Sequence, residues 1–129
     1  MEAKELRIGN LVLANGLYDG QIKTVEQIGS RGTLREKSRV LFFKEGGRAG
    51  EFTEDCDGIP LTEEWLLKFG FEKDKKGFLH NVRFVFHHIY GWKILENWIK
   101  NWVGIREIKY VHELQNLYFA LTGKEIELK

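Results

Sequence analysis

The stretch from residue 109 to residue 123, KYVHELQNLYFALTG, constrains the fold more than any other, because its helical pattern is the longest in the chain. Its apolar side chains recur every three or four residues, at Val111, Leu114, Leu117, Tyr118 and Leu121. This spacing predicts an amphipathic helix whose apolar face looks inward. A glycine just beyond a helix adopts positive φ without strain, so Gly123 is expected to end it.

The composition indicates a globular protein of ordinary size. The 129 residues suit one domain, and 43% hydrophobic with 30% charged residues is too apolar for a disordered chain. A formal net charge of +1 gives no overall attraction to nucleic acid or anionic lipid. The single cysteine excludes an internal disulfide, and no stretch has the pattern of a secretion signal or a membrane span. We therefore expect a cytoplasmic protein that does not enter a membrane.

The first half of the chain has the pattern of short antiparallel strands. Apolar residues alternate within 6–13 and 21–28. A third strand is expected over 34–44, clearest in the apolar run 40–43, and a brief one at 51–53, with glycine-containing turns between the strands. Strands of this length and spacing are typical of a small barrel or a curled sheet. The opening LRIGNLV is similar to the first strand of SH3-like barrels, so residues 1–57 are predicted to form an SH3-like or barrel-like part.

A short helix is predicted within residues 58–71. Thr62 can cap its first turn, and Glu63 and Glu64 lie where the helix dipole favours negative charge. Gly70 is placed to end the helix. The helix opens the second part of the predicted fold, residues 58–129, within one domain.

The segment between the two helices is predicted to form a β meander. Residues 78–90 alternate as one strand, and residues 104–108 form another. Residues 92–103 fit both a helical stripe and a strand face, and the sequence leaves that choice open. The predicted class is α+β: a barrel-like β part, a short helix, a meander and the C-terminal amphipathic helix.

Three motifs together resemble one protein family. They are ELRIGN at 5–10, GIPLTEEWLLKFGF at 58–71 and IKYVHELQNLYFALTGKE at 108–125. They are similar to a family of small bacteriophage and prophage proteins, mostly of gut bacteria. The resemblance covers both ends of the chain and one internal helix. It implies a site of action in the bacterial host cytoplasm, but it brings no enzymatic assignment and therefore no catalytic residues.

The sequence contains no complete catalytic or metal-binding motif. His112 and the following glutamate resemble a zinc helix, but Asn116 stands where the second histidine belongs. Cys56 lies between Asp55 and Asp57, whose charges would raise the pKa of its thiol. We predict no catalytic residue, no metal and no cofactor. A small hydrolase using Cys56 or the histidines is the least favoured reading.

A ligand site is predicted where basic and aromatic residues concentrate. Aromatic rings can stack on a nucleobase while a cation binds a phosphate. The candidate ligand-binding residues are Arg31, Arg35, Arg48, His88, Tyr90, Trp92, Trp98, Trp102 and Arg106. The alternatives are a solvated strand face for the arginines and core packing for the aromatic residues.

The resemblance to phage proteins implies a non-catalytic binding protein that acts on a host defence signal or a host protein. The aromatic and basic content, without a catalytic constellation, favours sequestering of a nucleotide-type host immune signal. The alternative is a module that binds a host protein or nucleic acid and blocks a host factor. The near-neutral charge disfavours nucleic acid. A homo-oligomer is expected if the aromatic stretch around residues 92–102 is exposed, because large apolar patches are seldom left in water.

Overall fold

The described residues form a mixed fold with two antiparallel sheets and two α-helices, which confirms the α+β prediction. It is known from a computed structural model. The structure describes residues 5–16, 18–30, 39–45, 50–81, 85–87, 93–96 and 103–129, with backbone only for 30, 85, 87, 93–96 and 103–106. The chain divides into two compact units. The first unit is Met1–Ile59 with Val111–Glu125, and the second is Pro60–Tyr110 with Ile126–Lys129.

The first unit contains a five-stranded antiparallel sheet. Its strands are β1 (Leu11–Ala14), β2 (Gln21–Ser30), β3 (Arg39–Phe43), β4 (Glu51–Phe52) and β5 (Cys56–Asp57). They are ordered β4-β3-β2-β1-β5, and a 3-10 turn over Thr53–Asp55 links β4 to β5. The antiparallel β part is thus confirmed. Within the described residues no pairing closes β4 onto β5, so the sheet is not a closed barrel.

One face of this sheet, here called the inner face, forms the core of the first unit. Among the described residues, the buried cluster on this side contains Leu6, Val12, Ala14, Val25, Leu41, Phe43 and Cys56. The predicted first strand is shortened at its start, because Gly9 has a φ of +97° and turns the chain just before β1. On β2 the buried face is that of Val25, whereas Ile22 is 47% exposed.

The helix α1 (Glu63–Lys68) confirms the predicted short helix. The Thr62 hydroxyl accepts a hydrogen bond from the Trp65 N–H at 3.4 Å. Gly70 has a φ of +86°, and the next N–H, of Phe71, donates to the Leu66 carbonyl at 3.0 Å. These bonds satisfy backbone groups that a helix leaves open at its two ends.

The second unit also contains a five-stranded antiparallel sheet, in the order β10-β9-β8-β7-β6. The strands are β6 (Glu72–Lys73), β7 (Leu79–His80), β8 (Val85–His87), β9 (Lys93–Glu96) and β10 (Val103–Glu107). Its buried apolar residues include Phe71 and Phe86, whose rings meet edge to face with centroids 5.5 Å apart.

The prediction of one strand over 78–90 is wrong. β7 and β8 are antiparallel neighbours, with Leu79 opposite Phe86, so the chain reverses between them. Alternating polarity is equally compatible with two short paired strands, and only Asn81 in this run is a typical turn residue. In the ambiguous stretch 92–103, β9 makes residues 93–96 a strand, whereas residues 92 and 97–102 lie outside the described part.

The C-terminal helix α2 (Val111–Thr122) confirms the longest predicted element. Gly123 follows with a φ of +73°, and its N–H donates to the Phe119 carbonyl at 2.8 Å. The buried residues lie in the first half of the helix, so the predicted inward position of Leu121 is wrong: it is 52% exposed. No described helix has the length and apolar character needed to cross a membrane.

Candidate functional site

The predicted ligand-binding residues lie almost entirely beyond the described part of the chain. Those outside it are Arg31, Arg35, Arg48, His88, Tyr90, Trp92, Trp98 and Trp102. The backbone of Arg106 lies in β10, opposite Ile94 of β9 and next to an irregularity in the strand register. The grouping of these residues around one ligand therefore stays a prediction.

Two of the three motifs that carry the family resemblance meet in the first unit. Gln115 of α2 is 4% exposed, and its side chain spans the turn before β1. Its Oε1 accepts from the Leu11 N–H at 2.8 Å, and its Nε2 donates to the Gly9 carbonyl at 3.0 Å. One amide thus satisfies two backbone groups that β-sheet pairing does not reach.

Two asparagines extend this contact. The Asn10 side chain is fully buried; its Oδ1 accepts from the Arg7 N–H at 2.7 Å, and its Nδ2 donates to the Asn116 Oδ1 at 2.8 Å. Asn116 Nδ2 in turn donates to the Glu5 carbonyl at 2.9 Å. The asparagine that breaks the zinc-helix pattern therefore holds the N-terminal segment in place.

Arg7 completes the arrangement. Its guanidinium forms an ion pair with Glu125, including a hydrogen bond from Nη2 to Oε2 at 3.1 Å, and its Cζ lies 4.2 Å from the centre of the Phe119 ring. We call Arg7, Asn10, Gln115, Asn116 and Glu125 the N-terminal clamp. Each of these side chains is engaged within the chain. We therefore interpret the clamp as a structural contact that holds the N-terminal segment in place.

Cys56 is unsuited to act as a nucleophile. Its side chain is fully buried on the inner face, and its Sγ lies 3.6 Å from Oε2 of Glu51, to which it donates a weak hydrogen bond. The pKa of the Cys56 thiol is raised to about 12, mainly by burial and secondly by the negative charge of Glu51. The expected direction of the shift is correct, but burial is its main cause and Asp55 contributes less than Glu51.

The described histidine side chains are held by internal contacts. His80 Nε2 lies 2.6 Å from Oδ2 of Asp74, and this hydrogen bond lowers the pKa of the Asp74 carboxyl. His112 is the second residue of α2, and it is only 1% exposed. Burial lowers its pKa, an effect partly opposed by the nearby charges of Glu113 and Glu5.

Opposite the inner face, the first sheet carries an apolar surface that we call the outer patch: Val40, Phe42 and Phe52. Val40 is paired with Phe52 across β3 and β4, so both point to the same side, and Phe42 follows two residues along β3. Phe52 is 38% exposed, and the other two are half-buried.

Two glycines make room for the outer patch. A Cβ on Gly50 would lie 2.5 Å from Cγ1 of Val40 and 3.1 Å from Cε1 of Phe42. A Cβ on Gly29 would lie 3.5 Å from Cε2 of Phe42. The Phe42 ring therefore lies directly over glycine backbone, and the patch is a preformed apolar surface that could contact a partner.

Among the described residues, no group of three or more His, Cys, Asp or Glu side chains is arranged to hold a metal ion. The best-formed polar arrangements are those around Cys56, His80 and the N-terminal clamp, and each is engaged within the chain.

Sequence reasoning missed the buried polar residues of the first unit. Lys23, Glu51 and Gln115 are 7%, 3% and 4% exposed, although residues of these types are usually on the surface. The sequence indicated their burial only through their spacing from apolar residues. Gln115 follows Val111 by four residues and so lies on the same side of the helix, and Lys23 alternates with Val25 on β2.

The chain was compared with protein-family models, curated proteins and solved structures, and no match was found in any of the three.

Proposed function

We propose that the chain is a non-catalytic binding protein. The observation that carries this proposal is the state of Cys56, the only cysteine: its thiol is buried and its pKa is about 12. At neutral pH such a thiol is almost entirely protonated, and the thiolate is the nucleophilic form. The described histidine side chains support a non-catalytic role, because they contact other residues. His80 hydrogen-bonds Asp74 and His112 lies near Glu5, while the Cys56 thiol bonds Glu51.

The proposed ligand is a nucleotide-type host immune signal, and the proposed action is to sequester it in the bacterial host cytoplasm. The phage-family resemblance supports this setting. The aromatic and basic content of residues 88–106 supports the ligand class, since stacking on a base and pairing with a phosphate need those two kinds of side chain. We also propose a homo-oligomer in which the aromatic residues around 92–102 lie at an interface. Light scattering tests that state directly.

Calorimetric titration with a panel of cyclic and ADP-ribose-derived nucleotides tests the proposed ligand class. We expect saturable binding of at least one of them. Trp98→Ala and Arg106→Ala should each weaken binding by about tenfold or more, since stacking and charge-assisted bonds each contribute a few kcal/mol. Lys109→Ala, an exposed cation three residues from Arg106, is the matched control and should bind as wild type. Absence of heat with every member of the panel would rule out this ligand class.

The outer patch favours a second candidate, a module that binds a host protein. Phe52→Ser would remove the most exposed ring of the patch, whereas Ile22→Ser removes a 47% exposed side chain that is not part of the patch. If one stoichiometric partner from host lysate is retained by wild type and by Ile22→Ser but lost with Phe52→Ser, this candidate is favoured. Equal retention by all three proteins would exclude the patch as the binding surface.

A further inference from the structure

Asn15 differs from the other five asparagines of the chain, because it alone is followed by a glycine. Asn15 and Gly16 come directly after β1, and both residues are exposed. A glycine has no Cβ to hinder its backbone. The sequence therefore places an exposed carboxamide next to the least hindered kind of backbone nitrogen.

The Asn15 side chain joins the end of β1 to β5. Its Nδ2 donates a hydrogen bond to Oδ2 of Asp57, and the Asn15 backbone N–H donates to the Asp55 carbonyl at 2.9 Å. Just before this point, Leu13 of β1 is paired with Asp57 of β5. One neutral amide thus extends the contact between two neighbouring strands of the first sheet.

Acidic residues surround this amide. A Cβ on Gly16 would lie 3.1 Å from Oε1 of Glu51 and 3.3 Å from Cβ of Asp55, and Asp57 accepts the hydrogen bond of the Asn15 side chain. Asparagine suits this place, because its Nδ2 donates to a carboxylate without adding charge. An ionised aspartate at the same position could only accept hydrogen bonds, and it would add a negative charge beside three acidic side chains.

We infer that Asn15 is a site of spontaneous deamidation, which replaces the attraction between residues 15 and 57 by repulsion. The inference concerns the first unit and is independent of the ligand proposed above. It requires no partner other than water, and no oxidant or reductant.

The reaction begins at the Gly16 nitrogen. This nitrogen gives its proton to water and attacks Cγ of Asn15, and the new C–N bond closes a succinimide ring. The bond from Cγ to Nδ2 breaks, and the departing nitrogen takes up a proton and leaves as ammonia. Water then opens the ring at either carbonyl to give aspartate or isoaspartate. Overall, one water is consumed and one ammonia is released.

The product should loosen the edge of the first sheet. Two carboxylates repel each other where an amide and a carboxylate were bonded, and like charges facing each other on paired strands are destabilising. Isoaspartate also adds a carbon to the main chain immediately after β1. Because β5 carries the buried Cys56, loosening of this edge should expose the thiol more often.

Peptide mapping of the wild-type protein tests the reaction. The full chain is kept in mildly alkaline buffer and then digested with trypsin, which gives a peptide of residues 8–23 that carries both Asn10 and Asn15. We expect release of ammonia, and tandem mass spectrometry should locate the exchange of amide nitrogen for oxygen at Asn15. Asn10, which is fully buried and followed by Leu11, is the matched control and should stay intact. The inference is overturned if Asn15 stays intact after the free 8–23 peptide has deamidated there, or if Asn10 reacts as fast as Asn15.

Paired substitutions test the repulsion separately. Asn15→Asp should lower the urea midpoint of unfolding, and the loss should shrink at high salt, which screens exposed charges. Adding Asp57→Asn should restore the midpoint, because an amide at position 57 can again donate to the carboxylate. An unchanged midpoint in Asn15→Asp, or no recovery in the double variant, would refute the repulsion.

A measurement on the natural product keeps the inference testable if Asn15→Asp does not fold. Deamidated protein is separated from the untreated form by ion exchange, since the two differ by one charge. The Cys56 thiol should react faster with a disulfide reagent in the deamidated protein. Equal rates in the two forms would show that the reaction leaves the edge of the sheet intact, against the inference.

Discussion

Replacing Gln115 with alanine tests whether the N-terminal clamp stabilises the first unit. The Gln115 side chain is 4% exposed and bonds the Leu11 N–H and the Gly9 carbonyl at 2.8 and 3.0 Å. Alanine cannot reach either group. The substitution therefore removes both hydrogen bonds and leaves space between α2 and the start of β1.

The expected cost follows from these two bonds. A buried polar group that loses its partner costs about 1–3 kcal/mol. The buried Leu11 N–H should be near the upper end of this range and the Gly9 carbonyl, in a turn, near the lower end. We expect the free energy of unfolding to fall by about 3 kcal/mol, which lowers the melting temperature by roughly 10 °C in a chain of this length.

Urea unfolding followed by far-UV circular dichroism measures this change. Hydrogen exchange adds a local readout, because the Leu11 amide should exchange faster in the variant. Gln27→Ala, at an exposed position of β2, is the matched control and should stay within about 0.5 kcal/mol of wild type. The role assigned to the clamp is refuted if Gln115→Ala is as stable as this control.

Three further predictions concern single residues. The Cys56 thiol, with a pKa of about 12, should react with a disulfide reagent at pH 8 roughly a thousandfold more slowly in the native protein than in urea; similar rates would contradict its burial. Gly70→Ala and Gly123→Ala should each cost about 1–2 kcal/mol of unfolding free energy because both glycines have positive φ, and unchanged urea midpoints would show that this conformation is not required. Burial lowers the pKa of His112, so the unfolded chain binds a proton that the native chain resists, and the free energy of unfolding should fall as pH drops below about 6.5. His112→Gln should flatten this dependence between pH 7.5 and 5.5, and an equally steep decline in the variant would contradict it.

The two helices could be predicted because their signals are local. Thr62 and Gly70 mark the ends of α1, and Gly123 marks the end of α2, through bonds between residues a few positions apart. The reversal between β7 and β8 could not be predicted in this way. The alternating run contains no glycine or proline between Leu79 and Phe86, the residues that most strongly indicate a turn. The reversal is evident only from the antiparallel pairing of the two strands.

The candidate site was harder to predict than the fold. The clamp joins Arg7 and Asn10 to residues more than a hundred positions away, and no local pattern shows such partners. Lys23 has the sequence context of a solvated strand residue. In the folded chain it is buried, and its Nζ lies 4.6 Å from the centre of the Tyr18 ring.

Recovery of the ligand after binding tests the central claim most directly. The protein is incubated with the nucleotide that gives saturable heat, then denatured, and the released small molecule is identified by chromatography and mass spectrometry. A non-catalytic binder should return the nucleotide chemically unchanged, in a stoichiometric amount, after prolonged incubation. Release of a hydrolysed or rearranged product by wild type would contradict the claim.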